Sequence, residues 1–224
     1  MSAALPQKLF AEFIGTFFLT FTICLTTAFF SILSGETNAA FPIAAVLMLM
    51  IYSLGHISGA HFNPAVTLSI WMGEKINKKN ALLYLVIQII AGIIGALCSI
   101  IIYYGEFQTT SYGLVSLLEY HNFISIMLSE YIFTFALVFV IFNVAISEKT
   151  TGNNYFGIAI ASVVFTGILT VGTVSMASFN PAVSISLVVV GKLKLKEILW
   201  LHITPQILGA ITAMYAYNFI ERNN

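Results

Sequence analysis

Two short stretches hold the residues best suited to act on another molecule. "HFNPAVTLSI" covers 61–70 and "SFNPAVSISL" covers 178–187, and in each Asn-Pro-Ala-Val is followed by a small hydroxyl residue, Thr67 or Ser184. Asn is a good helix N-cap and Pro is at home at the first helical position. Asn63-Pro64-Ala65 and Asn180-Pro181-Ala182 therefore read as two helix starts. A helix start carries roughly half a positive charge, and each carboxamide can donate a hydrogen bond to a passing solute. That is the chemistry of guiding a molecule, not of breaking a bond. Two acids, Glu12 and Glu130, stand inside apolar runs, where an ionisable group is costly and functional by default. Their expected task is to accept hydrogen bonds from the irregular backbone before each helix start. Gln88 and Gln206 either share that task or join helices. His56 and His61 make unconvincing metal ligands, since they are five apart rather than four and no third ligand is near. They are instead candidates for a gate at the inner mouth of a path. His61 is either a pH-responsive group there or a structural histidine. All nine acids are Glu, so chemistry that needs an Asp is excluded.

The elements that must position these residues are membrane helices. Hydrophobic residues make up 59% of the 224-residue chain and charged residues 8%, against about 25% charged in soluble domains. The formal net charge is zero, with no basic block, so nucleic acid is not an expected partner. Cys24 and Cys98 both fall in apolar runs and read as small helix- or lipid-facing residues. Six apolar stretches, roughly 9–31, 40–55, 81–104, 123–145, 156–174 and 198–219, approach the length a helix needs to cross a bilayer. The segments after each Asn-Pro-Ala are too short to cross and too apolar for a loop, so they read as re-entrant half-helices. Lys8, Lys75, Lys78, Lys79, Lys149 and Arg222 outnumber Lys192, Lys194 and Lys196, which places the N- and C-termini in the cytoplasm. Gly15, Ala91, Gly92, Gly95, Gly209 and Ala210 read as close helix contacts.

The chain also repeats itself. "AEFIGTFFLTF" at 11–21 matches "SEYIFTFALVF" at 129–139, Glu12 matches Glu130 and Gln88 matches Gln206 at an offset of 118, and Asn63 matches Asn180 at 117. The offset spans three crossings, an odd number, so the second copy enters from the opposite side. Inverted repeats place a solute path at their interface near the midplane. The expected architecture is all-α: six transmembrane helices plus two re-entrant half-helices. One domain, 1–224, is expected from repeats 1–105 and 123–224 joined by a polar linker at 103–113.

"GHISGAHFNPAVT" at 55–67, "AEFIGTF", "SEYIFTF", the paired glutamines and the second NPA together resemble the aquaporin, or major intrinsic protein, family over essentially the whole chain. The resemblance implies passive passage of water or small uncharged solutes, no cofactor, no catalysis, and a homotetramer with one pore per subunit in a cell membrane. It also carries the family's constriction positions onto Ile43, Ile168 (or Gly167 after a one-residue gap), Ala177 and Val183. Family members usually have Arg where this chain has Val183. The expected filter is therefore apolar, and wider than that of a water-selective relative. Length and Ser184 resemble the water-channel branch, while the filter resembles neither branch well. Another neutral solute with slow water flow is the alternative: glycerol, urea, ammonia, peroxide or a gas. A structural membrane protein with a closed pore is more remote. So is an intramembrane serine protease of the rhomboid kind, suggested by "HISG" at 56–59 and His202 but leaving the repeat unexplained.

Overall fold

A computed structural model describes residues 3–27, 39–107, 117 and 121–222. Its helices are α1 (Leu5–Leu25), α2 (Ala40–Ser58), α3 (Pro64–Met72), α4 (Lys78–Phe107), α5 (Phe123–Ile141), α6 (Phe156–Ser175), α7 (Pro181–Val189), α8 (Leu195–Ile198) and α9 (Thr204–Arg222). No strand occurs among the described residues. Six helical segments there are long and apolar enough to cross a bilayer: Leu5–Leu25, Ala40–Ser58, Lys78–Tyr103, Phe123–Ile146, Phe156–Ser175 and Leu195–Glu221. The first span thus begins earlier than its hydrophobic run. The residues expected at its far end, 28–31, and the linker from 108 to 113 lie outside the described residues.

The fourth and sixth crossings each contain a five-residue π turn. α5 runs into a π turn at Phe142–Ile146, and a second π turn, Leu199–Ile203, joins α8 to α9. Pro205 accounts for the second. It has no N–H to give the carbonyl four residues back, and its ring crowds that turn. The Thr204 backbone N–H and hydroxyl both donate to the Leu199 carbonyl, the hydroxyl at 2.7 Å.

The half-helices start as the sequence predicts. Asn63 caps α3, its Oδ1 accepting from the Ala65 N–H at 2.9 Å, and Asn180 caps α7, accepting from the Ala182 N–H at 2.9 Å. Both caps have extended backbone and both helices take Pro in the first turn. Each half-helix crosses over to the other repeat: α7 packs on α4 and α1, and α3 packs on α9. Gly92 permits the first of these crossings, because a Cβ there would sit 2.9 Å from the Ser186 hydroxyl and 3.1 Å from the Ala182 carbonyl. Gly95 sets α4 against α1 in the same way, and Gly209 sets α9 against α5. Ala91 and Ala210, singled out with these glycines, are fully buried. The two repeats therefore share one core, and neither half-helix is buried without the other repeat.

Candidate functional site: a cavity between two helix starts

Before each half-helix the chain turns back on itself. α2 ends at Gly59, φ +92°, and α6 ends at Met176, φ +65°. Ala60 and Phe62 in the first loop, and Ala177 and Phe179 in the second, also have positive φ. A non-glycine residue there costs of order 1–3 kcal/mol and persists only where its surroundings hold it. Two buried carboxylates do the holding. Glu12 accepts from the Ser58 hydroxyl at 2.7 Å, the His61 N–H at 2.9 Å, the Phe62 N–H at 2.8 Å and Gln88 Nε2 at 2.8 Å. Glu130 accepts from the Ser175 hydroxyl at 2.7 Å, the Ser178 N–H at 3.1 Å, the Ser178 hydroxyl at 3.0 Å, the Phe179 N–H at 2.8 Å and Gln206 Nε2 at 2.7 Å. Each glutamine thus joins the same hydrogen-bonded group as the acid of its repeat.

The hydroxyl residue after each Asn-Pro-Ala-Val belongs to the same network. Gln88 Nε2 donates to Thr67 Oγ1 at 2.9 Å, and Gln206 Nε2 lies 3.0 Å from Ser184 Oγ. Sequence reasoning missed four further members. Ser58 and Ser175 stand at the ends of α2 and α6, and Tyr84 and His202 bond the carbonyls of those two serines, each at 2.9 Å. Their signal was the repeat offset itself, which relates Ser58 to Ser175 and Tyr84 to His202. These bonds also settle the protease alternative. The Ser58 hydroxyl is bound to Glu12, and His202 Nε2 meets the Ser175 carbonyl, so the two do not form a nucleophile–base pair.

The asparagines meet across the repeat interface. Asn63 Nδ2 donates to the Phe179 carbonyl at 2.9 Å, and Asn180 Nδ2 donates to the Phe62 carbonyl at 2.9 Å. Each carboxamide thus spends its oxygen on its own helix and one N–H on the opposite loop. It keeps one N–H for the space between. That space is a cavity of about 330 Å³ lined by Asn63, Asn180, His61, Ile43, Ile168, Ala177 and Val183, among others. All four residues carried over as constriction positions therefore face one cavity. Gly167 does not line it. A Cβ there would meet the Phe179 ring, which occupies that side of α6 and leaves Ile168 facing inward.

Val183 is 1% exposed and Ile43 3%, and the side chains of Ile43, Ile168, Ala177 and Val183 bring no hydrogen-bond donor to the cavity wall. The two histidines part company. His61 lines the cavity, with Nδ1 3.1 Å from Thr67 Oγ1 and its ring edge-on to Tyr84 at 5.2 Å. His56 sits exposed on α2 and does not line the cavity, because the left-handed turn at Gly59 redirects the chain between them. Among the described residues, no three His, Cys, Asp or Glu side chains are grouped to hold a metal ion.

Comparison with known proteins agrees with this geometry. The family model described as Major intrinsic protein matches residues 1–166 and 146–223. Aquaporin NIP1-2 of Arabidopsis thaliana is 32% identical over 232 residues, covering 99% of this chain and 77% of that protein. Aquaporin NIP1-1 of Oryza sativa subsp. japonica is 31% identical over 223 residues, covering 97% and 75%. Among solved structures, the aquaglyceroporin from Plasmodium falciparum superposes with a TM-score of 0.79 at 21% identity, covering 97% of each chain. This last match bears on the fold alone.

Proposed function

The chain belongs to the major intrinsic protein family, and we propose that it conducts water together with at least one larger uncharged solute through the cavity between Asn63 and Asn180. It is a passive membrane channel and not an enzyme. The observation that carries the proposal is the reciprocal pair of bonds from each asparagine to the opposite loop. It leaves one N–H of each free for a solute at the meeting point of two helix starts. There the two partial positive charges oppose cations, while an uncharged solute can exchange one hydrogen-bond partner for the next.

In this reading Asn63-Pro64-Ala65 and Asn180-Pro181-Ala182 form the centre. Ile43, Ile168, Ala177 and Val183 form the constriction, and Glu12, Glu130, Gln88 and Gln206 hold the loops. His61 is the gate candidate at the mouth nearer the termini, and His56 is dropped from that role. An apolar constriction levies a desolvation cost on strongly hydrated solutes. That supports a second reading, in which water is slow and a less polar neutral solute is the main cargo. The proposal further takes the channel as one domain of two repeats. It places a homotetramer in the cell membrane with its termini cytoplasmic, needing only lipid and solute as partners and no cofactor. Reconstitution into liposomes tests it. Osmotic shrinkage faster than in protein-free vesicles, followed by re-swelling in glycerol or urea, is the expected result. Vesicles indistinguishable from protein-free ones in every solute would leave a closed structural protein instead.

A further inference from the structure

Replacing the usual Arg by Val183 does not leave the cavity wall without charge. Among the described residues that line it, Lys192 is the only one with a charged side chain, and no carboxylate lines it. The end of α7 determines where Lys192 stands. After Val190 the chain turns at Gly191 with φ +73°. The Gly191 N–H donates to the Val188 carbonyl at 3.0 Å and the Lys192 N–H to the Leu187 carbonyl at 2.8 Å. This is a left-handed helix stop, and glycine takes it without a Cβ penalty. Leu193, 2% exposed, anchors the next position in the core.

The three lysines of this segment look alike in sequence but are not alike in space. Lys194 and Lys196 do not line the cavity, and Lys196 is exposed. Lys192 is half-buried against the opening, and no ion pair joins it to another described residue. Burial pushes its ammonium below the usual lysine value, and no carboxylate among the described residues offsets that. A partly desolvated ammonium is costly, and its place on the cavity wall gives it a charge that a passing ion would meet.

We propose that Lys192 is a further electrostatic barrier to cations in this pore, standing at the mouth where α7 ends and adding to the two helix starts at its centre. The inference rests on the reading of the cavity as a conducting path. A fixed positive charge beside low-dielectric walls repels cations approaching the opening. A neutral solute feels no such net force. Anions drawn to the mouth still meet the apolar ring of Ile43, Ile168, Ala177 and Val183 and must give up their hydration there.

The full chain is reconstituted in liposomes, and potassium leak is read with a potential-sensitive dye at low and high ionic strength. Water and glycerol fluxes are followed in parallel. Lys192→Met should raise potassium leak by roughly tenfold, the low end of the range for field focusing. Lys192→Glu should raise it further, and Lys192→Arg and Lys194→Met should match the unsubstituted protein. The gap between Lys192→Met and the unsubstituted protein should narrow as salt shortens the Debye length. Water and glycerol fluxes within about twofold across the series show that every variant has folded. Leak unchanged in both Lys192→Met and Lys192→Glu, with those fluxes intact, overturns the inference while sparing the pore. Absence of any neutral flux from the unsubstituted protein removes the pore itself.

Discussion

Val183 and Ile43 line the cavity with apolar side chains and are otherwise almost fully buried. An Arg at 183 would bring bulk, five donors and a fixed charge into a wall that has none of the three at that point. Val183→Arg should therefore cut the flux of the larger neutral solute severalfold more than that of water, compared at equal incorporation in liposomes. Unchanged relative permeabilities would mean that Val183 lies off the path. The acids behind the loops act differently. Glu130 takes the Ser178 N–H on one oxygen and the Phe179 N–H on the other, as Glu12 does for His61 and Phe62. In Glu130→Gln the serine hydroxyls and Gln206 can reorient, but the two backbone N–H groups cannot. One of them must face the new NH₂, at a cost of about 1–3 kcal/mol. Glu12→Gln and Glu130→Gln should each lower the thermal midpoint in detergent and reduce flux. Midpoints equal to that of the unsubstituted protein would show the loops to be held by something else.

Helices approach one another here through missing side chains. A Cβ at Gly209 would lie 2.5 Å from the Tyr131 carbonyl oxygen and 3.1 Å from the Phe135 N–H nitrogen. Both are backbone atoms and cannot swing aside. Gly209→Leu must therefore push α9 off α5, which overpacking data price at about 1–3 kcal/mol. The expected outcome is a lower unfolding midpoint in detergent, and a midpoint within a degree of the parent would contradict the packing. The half-helices and loop-holding acids were legible in sequence because residue type alone identifies them: Asn-Pro as a start, Glu in an apolar run, each twice at one offset. The π turns were not, since hydropathy does not distinguish a π turn from an α turn. Nor was the separation of His56 from His61, which depends on the left-handed turn at Gly59. Pro205 was the available sign of the break before α9.

At the scale of the whole molecule the charges sort by face. An odd number of crossings in each repeat puts the N-terminus, the α3–α4 and α5–α6 connections and the C-terminus at one end, and the α7–α8 connection at the other. The Lys149–Glu221 ion pair, 2.9 Å long, ties the α5–α6 connection to the end of α9 and bears this out for that half. Lys8, Lys75, Lys78, Lys79, Lys149 and Arg222 then belong to the termini end, against Lys192, Lys194 and Lys196 at the other. Short loops rich in Lys and Arg stay in the cytoplasm, so the termini end should face inward and the mouth beside Lys192 outward. The sequence made this count possible. What it left open was which of the three outer lysines matters to a solute, because that depends on how Gly191 turns the chain. Orientation can be read directly. In a background with Cys24 and Cys98 changed to Ala, Lys196→Cys should react with a membrane-impermeant maleimide on intact cells. Lys75→Cys, exposed on the α3–α4 connection, should react only after permeabilisation. The reverse pattern would turn the molecule over and leave Lys192 facing the cytoplasmic pool of cations instead of the external one.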